Sequence, residues 1–231
     1  MKIGIIGSGN IGGTLARKCR ELNYPVLLTN SRGPESLKEF ADETGVTPVA
    51  LKELIGQSDL IILSIPQKSI PALPAGIFKD KIVVDTCNYY PDLRDGRLVG
   101  FSEFTVDSEW VEEQIQHPVI KVFNSILAES LRTKGLPKGR NGRIGLPIAG
   151  DNAHSKKLVM QLVDELGFDP VDAGTIKESW KLHPGSPIYC ADLPSADIIE
   201  KLSALTDADR IQLNKDRLVR EKNAIKKYGH L

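Results

Sequence analysis

The chain has 231 residues with 30 basic and 30 acidic side chains, so its formal net charge is zero. That balance supplies no bulk attraction for nucleic acid or an anionic membrane surface. With 41% hydrophobic and 26% charged residues the composition is that of a globular protein, and no apolar run approaches the roughly 20 residues a membrane-spanning helix needs.

Lys2-Ile3-Gly4-Ile5-Ile6 is a short apolar run that suits a parallel strand buried on both faces. Because the chain enters this strand at once, no secretory signal peptide is expected. Gly7-Ser8-Gly9-Asn10-Ile11-Gly12 follows, and Gly13 to Leu22 reads as a helix. Glycines at this spacing mean little alone; between a strand and a helix they form the loop that grips a dinucleotide. Gly7 permits the tight turn, Gly9 lets backbone approach the pyrophosphate, and Gly12 lets helix and strand pack closely. The helix N-terminus then points free amides at the phosphates.

Val26 to Thr29 reads as the next strand, running into Asn30-Ser31-Arg32-Gly33. An NAD-selective site places an acid here, about twenty residues past the glycines, to hold the ribose 2′-hydroxyl. This chain places a hydroxyl and a guanidinium there instead. A 2′-phosphate repels carboxylates and accepts charge-assisted hydrogen bonds from arginine, so Ser31 and Arg32 predict NADP rather than NAD.

Alternation of short apolar runs with helical patterns continues, which predicts a parallel sheet with crossover helices. Pro34 to Glu43 reads as a helix, Thr47-Pro48-Val49 as a brief strand, and Lys52 to Ile55 as a short helix. Asp59 to Pro66 and Lys81 to Asp85 read as strands, the second delivering Thr86, Cys87 and Asn88 at its C-terminal edge. A helix over Glu109–Gln116 precedes a strand over Val119–Phe123, and Asn124 to Leu131 turns helical. Gly135 to Gly142 is an exposed loop by its glycines and basic residues. Ile144 to Gly150 resumes as a strand that Pro147 confines near an edge. Asp151 and Asn152 are expected to cap a helix from Ala153 to Leu166, and Pro170 to Gly174 is a last strand. Ser195 to Leu205 and Thr206 to Tyr228 read as charged helices capped by Ser195 and Thr206. The sparse apolar positions of the second suit a surface or subunit-contact arm.

In an open α/β sheet, ligands gather outside the carboxyl ends of the strands. Gly7, Asn30, Ser64, Asp85 and Asn124 all fall at such ends, so one crevice unites them. Asp85 is expected to shape its strand end through hydrogen bonds rather than act as a base. Cys19, Cys87 and Cys190 are odd in number and lack metal-ligand spacing, which fits structural thiols in a reducing cytoplasm. Of the histidines, His117, His154 and His230 read as surface residues, whereas His183 is a candidate to approach the acceptor. Tyr89 and Tyr90 are candidates to stack on a planar one. No residue is assigned a catalytic role and no metal site is read.

Taken together, Ile6-Gly7-Ser8-Gly9-Asn10-Ile11-Gly12, Asn30-Ser31-Arg32-Gly33, Ser64-Ile65-Pro66, Val84-Asp85-Thr86-Cys87-Asn88, Lys121-Val122-Phe123-Asn124-Ser125-Ile126, Ile148-Ala149-Gly150-Asp151-Asn152 and Val171-Asp172-Ala173-Gly174 carry a resemblance. In their order and spacing the chain resembles the coenzyme F420-dependent NADP oxidoreductase family. The resemblance implies that Ser8, Gly9, Asn10 and Ile11 contact the pyrophosphate and that Ser31 and Arg32 hold the 2′-phosphate. It implies that Ser64, Ile65 and Pro66 line the trough, with Asn88 and the Asn124-Ser125-Ile126 turn near the nicotinamide and the acceptor. A homodimer is implied as well. The chain departs from the family pattern by continuing through Trp180 to Cys190.

The expected architecture is α/β, a Rossmann-type doubly wound and mostly parallel sheet. Residues 1–180 form the NADP-binding domain, and 181–231 a mostly helical C-terminal extension. The expected function is hydride transfer between NADP(H) and a small planar acceptor, coenzyme F420 or a flavin. An imine or carbonyl reductase and a non-catalytic NADPH sensor are the alternatives.

Overall fold

The structure, a computed structural model, describes residues 1–102 and 104–228. Strands β1 (Ile3–Ile6), β2 (Val26–Thr29), β3 (Thr47–Pro48), β4 (Leu60–Leu63), β5 (Ile82–Asp85) and β6 (Ile120–Lys121) build a sheet in the order β3-β2-β1-β4-β5-β6. Every pairing in it is parallel. Successive strands run outward from β1 in one direction and from β4 in the other. Strand order therefore reverses between these two, and a crevice opens at their C-terminal ends. This is the doubly wound α/β architecture expected from the alternating pattern.

Helices cover both faces, which explains why the strands are apolar throughout. On one face Leu15, Ala16 and Cys19 of α1 (Asn10–Glu21), Leu131 of α5 (Ala128–Thr133) and Val159, Leu162 and Val163 of α6 (Ala153–Glu165) pack on Ile3, Ile5, Leu28, Ile62 and Val84. On the other face, Leu54 and Ile55 of α3 (Leu51–Gln57) and Trp110, Val111 and Ile115 of α4 (Asp107–Ile115) pack on Leu27, Ile61, Leu63 and Val83. Burying each such valine, leucine or isoleucine side chain stabilises the fold by about 1.5–3 kcal/mol.

β7 (Gly145–Ile148) and β8 (Asp169–Asp172) pair in parallel as a separate ribbon. An antiparallel bridge joins it to the end of β6: Lys121 N donates to Ala149 O at 2.8 Å and Ala149 N to Lys121 O at 3.0 Å. Pro147 sits inside β7 opposite Val171, and this short ribbon tolerates the missing donor. A third cluster joins Ala149, Val171, Leu182, Ile188, Ile198 and Leu202, so α7 (Ser195–Ala204) and the stretch after Ile176 are part of the packed body. The expected boundary after residue 180 runs through a 3-10 turn, Ile176–Leu182. The long helix α8 (Asp207–Tyr228) leaves Ile211 and Val219 exposed and lies against Pro91–Asp95.

Several boundaries differ from expectation for local reasons. α1 begins at Asn10, three residues before the predicted start, so Gly12 lies inside the helix. Pro34–Leu37 is a 3-10 turn, and only Lys38–Thr44 (α2) is α-helical. Residues 124–126 form a buried irregular turn before α5, and Leu127 after them is exposed. Asn152 caps α6 by accepting from Ser155 N at 2.9 Å, whereas Asp151 accepts from Ile176 N at 3.1 Å and ties in the C-terminal stretch. Pro194, not Ser195, is the N-cap of α7; Ser195 Oγ donates to Asp169 Oδ2 at 3.2 Å.

Candidate functional site

The glycine loop is shaped by what its glycines exclude. A Cβ on Gly7, whose φ is +111°, would collide with the Ser64 carbonyl oxygen, and one on Gly12 with the Gly7 carbonyl oxygen. A Cβ on Gly9 would meet nothing within 4 Å. Gly7 and Gly12 thus draw strand, helix and the Ser64 turn together, while Gly9 faces open space. Gly9 caps α1 without a side-chain hydrogen bond. The first amides of α1 consequently lack an intrahelical acceptor and are available to an anion. Asn10 is exposed, Ser8 is half-buried, and Ile11 packs against the core beneath.

Asn30 couples this loop to the next strand end. Its Nδ2 donates to Ser8 Oγ at 3.1 Å, and its Oδ1 accepts from Arg32 N at 2.9 Å. Ser31 and Arg32 are exposed, and among the described residues no carboxylate pairs with the Arg32 guanidinium. Ser64, Ile65 and Pro66 are half-buried, with Ser64 and Ile65 directly against Gly7. The structure therefore brings together Gly7–Gly12, Asn30–Arg32 and Ser64–Pro66 along one side of the switch point.

The far end is built around two buried amides. Asn88 Nδ2 donates to Asn124 O at 2.9 Å, and Asn124 Nδ2 donates to Asn88 Oδ1 at 3.1 Å and to Leu182 O at 2.9 Å. Asn124 is 3% exposed, yet its Oδ1 has no hydrogen-bond partner among the described residues. A buried carbonyl without a donor is costly, and a carboxamide or ring N–H brought by a ligand would satisfy it.

Asp85 shapes its strand end through hydrogen bonds as expected, but its partners and the rest of the support for this end were not legible in the sequence. Asp85 accepts from Cys87 N at 2.8 Å, from Ser108 Oγ at 2.8 Å and from Lys121 Nζ at 2.9 Å. Lys121 Nζ also donates to Cys87 O. Asp107 accepts from Tyr89 N at 3.0 Å and faces His183 Nε2 at 3.5 Å. Asp95 accepts from Tyr90 N at 2.8 Å and pairs with Arg94 at 2.9 Å, and Arg94 Nη2 donates to Asn88 O at 2.6 Å. A lysine inside an apolar strand was the unused signal, since a buried ammonium requires a counter-charge.

Two candidates move. His183 is 1% exposed, and its ring contacts Asp107; it holds α4 to the C-terminal stretch rather than reaching an acceptor. Tyr89 is buried with its ring 4.0 Å from that of Phe101 and its hydroxyl on Gly96 O at 2.8 Å, so it offers no stacking face. Tyr90 is half-buried, and its hydroxyl contacts that of Tyr189, which in turn lies 3.4 Å from Asn88 Nδ2. His117 is half-buried, bound to Lys81 O at 2.9 Å, and His154 is exposed; His230 lies outside the described residues. Burial raises the Cys19 thiol to about 12 and the Cys87 thiol well above its ordinary range, so neither is a ready thiolate.

Residues 2–89, which carry the glycine loop and extend to Asn88, match the family described as NADP oxidoreductase, coenzyme F420-dependent. The N-terminal part of the chain, with the glycine loop and the first five strands, is similar to this family. The crystal structure of hypothetical protein SMa0349 from Sinorhizobium meliloti is 32% identical, with a TM-score of 0.70 over 84% of this chain and 95% of that one. A structure from Arthrobacter sp. FB24, named a putative F420-dependent NADP-reductase, is 23% identical with a TM-score of 0.65 over 78% and 87%. Protein YjhV of Escherichia coli K12 is 42% identical over 64 residues, 28% of this chain. The match spans about half of that relative, 47%.

Proposed function

We propose that this oxidoreductase transfers hydride between NADP(H) and a planar redox acceptor, a deazaflavin or a flavin. The observation that carries the reading is a glycine loop with an uncapped helix N-terminus after β1 and, after β5 and β6, a buried Asn88–Asn124 pair that leaves one amide oxygen without a donor among the described residues. The chain's residues fit the dinucleotide. Gly9 and the α1 amides would hold the pyrophosphate, and Ser31 and Arg32 the 2′-phosphate. Ser64, Ile65 and Pro66 would line the trough, and Asn124 Oδ1 would accept from the carboxamide. Bound NADPH would supply the hydride.

The protein's part is then placement. Asn88 and Asn124 lock each other through reciprocal amide bonds, so a ring held between them and the Ser64 turn has one orientation. Fixing two rings in a near-attack arrangement is itself a large part of such catalysis. The similarity of residues 2–89 to a family named for coenzyme F420 favours a deazaflavin or flavin over an imine or carbonyl. A homodimer working in the cytoplasm belongs to the same proposal, and sedimentation of the purified chain tests the dimer.

The decisive experiment is an acceptor screen with NADPH against deazaflavin, flavin nucleotides, quinones and ferric chelates. Reduction of a deazaflavin or flavin is expected. NADPH binding with no oxidation by any acceptor would favour a sensor instead.

A further inference from the structure

Hydride transfer delivers two electrons and one hydrogen, so the acceptor still needs a proton. The charged groups near the amide pair are poorly placed to give one. Asp85 and Lys121 are wholly buried against each other. His183 and Asp107 are likewise buried and in mutual contact. Arg94 holds Asp95 and the Asn88 carbonyl.

A pair of phenols has a different setting. The Tyr90 and Tyr189 hydroxyls touch, Tyr189 lies one hydrogen bond from Asn88, and Tyr90 is half-buried rather than sealed in the core. The Arg94 guanidinium stands 5.2 Å from the centre of the Tyr90 ring. We propose that the Tyr90 hydroxyl, backed by Tyr189, is the proton donor that completes reduction of the acceptor. This rests on the hydride-transfer reading above.

In the step, the acceptor takes the hydride with its electron pair, and charge accumulates on a ring heteroatom. The Tyr90 O–H bond breaks, its proton goes to that heteroatom, and its electron pair stays on the phenolate oxygen. Arg94 stabilises that negative charge, and the Tyr189 hydroxyl donates into it. Solvent returns the proton to Tyr90, so one NADPH and one proton are consumed for each acceptor reduced.

Tyr189 suits the supporting role. Burial, then the neighbouring Tyr90 and Cys190, push its hydroxyl well above the ordinary tyrosine range, so it keeps its hydrogen. Its segment is fixed beside the site by Cys190 N, which donates to Ser125 O at 2.8 Å, and by the Leu182 carbonyl on Asn124.

The test compares wild type with Tyr90→Phe and Tyr189→Phe. Tyr90→Phe should lower kcat by roughly 10²–10⁴-fold, the range for loss of a general acid. KM for NADPH and NADPH affinity read by nicotinamide fluorescence should not change. A solvent deuterium isotope effect present in wild type should change in the variant. Tyr189→Phe should lower kcat less and leave NADPH binding intact. In cofactor-free protein, where Tyr24 also titrates late, ultraviolet absorption should show one late phenol fewer in Tyr189→Phe and one shifted toward the ordinary range in Tyr90→Phe.

A Tyr90→Phe enzyme with unchanged kcat and isotope effect, whatever its melting temperature, would show the pair to be a structural clasp and overturn the proposal. A wild type that reduces no acceptor would instead defeat the hydride-transfer reading and the proton donor with it.

Discussion

Lys121 and Asp85 stand opposite each other on neighbouring strands, with the ammonium 2.9 Å from the carboxylate and both side chains wholly buried. The pair sits directly beneath the candidate nicotinamide end: Asp85 opens the segment to Asn88, and Lys121 opens the one to Asn124. A buried pair is not a large net source of stability, because desolvation offsets much of the attraction. What it gives here is a fixed relation between two strand ends whose next residues carry the amide pair.

Breaking that pair should therefore cost far more than removing it. Lys121→Met leaves the Asp85 carboxylate buried and facing an apolar chain, and a loss of about 3–5 kcal/mol is expected. Combining it with Asp85→Asn keeps an acceptor for Cys87 N and removes the orphan charge, so the double variant should be the more stable of the two. Denaturant unfolding of both proteins checks the order. A double variant no better than Lys121→Met would mean that the carboxylate is not the strained partner.

Gly9 and Gly12 should differ in what one added methyl group does to stability. Gly9→Ala adds a Cβ that meets nothing within 4 Å, at a φ of −73° that alanine accepts. Its melting temperature should match wild type, while NADPH affinity falls because the methyl occupies the pyrophosphate approach. Gly12→Ala drives a Cβ into the Gly7 carbonyl and should lower the melting temperature as well as binding. Calorimetry paired with fluorescence titration separates the two effects.

Why the near end of the site was readable and the far end was not follows from distance along the chain. Gly7 to Gly12 and Asn30 to Arg32 act through their own backbone and local turns, so type and spacing are enough. The sheet too was legible, because strands covered on both faces have to be apolar on both faces. The far end depends on contacts across 36 residues for Asp85–Lys121, 76 for Asp107–His183 and 99 for Tyr90–Tyr189. No periodicity records such partners. Trp180 to Cys190 read as a departure from the family pattern, yet it supplies Leu182, His183 and Tyr189 to the site. The shift in the start of α1 has a local cause: Asn10 and Gly12 are weak helix formers, and close packing on Gly7 and Ser64 holds them in the helix.

Arg32 should discriminate between the two nicotinamide cofactors. Its side chain is exposed, and its backbone is pinned to Asn30, which is itself hydrogen-bonded to Ser8. Arg32→Ala should weaken NADPH binding by roughly ten- to a hundredfold, the equivalent of one charge-assisted hydrogen bond. NADH binding should hardly change, and the NADPH loss should shrink as salt screens the contact. Equal losses for both cofactors would remove Arg32 from the 2′-phosphate site.

Glu112 should give stability a pH dependence near neutrality. It lies on α4, its Oε1 accepts from Val119 N at 2.8 Å, and burial raises its carboxyl from an ordinary 4.5 to about 7. The Val119 amide opposes that rise, while Asp151, Glu109 and Asp85 add to it. The folded protein thus holds this proton more tightly than the unfolded chain does. The resulting contribution to stability is fully present below about pH 4.5 and is lost as the pH rises through about 7. Glu112→Gln keeps the acceptor for Val119 without an ionisable proton. Its stability should stay flat across that window while wild type declines, so the variant should be the more stable protein at pH 8. Urea unfolding from pH 5 to 8 makes the comparison, and parallel curves for the two proteins would assign any decline to other groups.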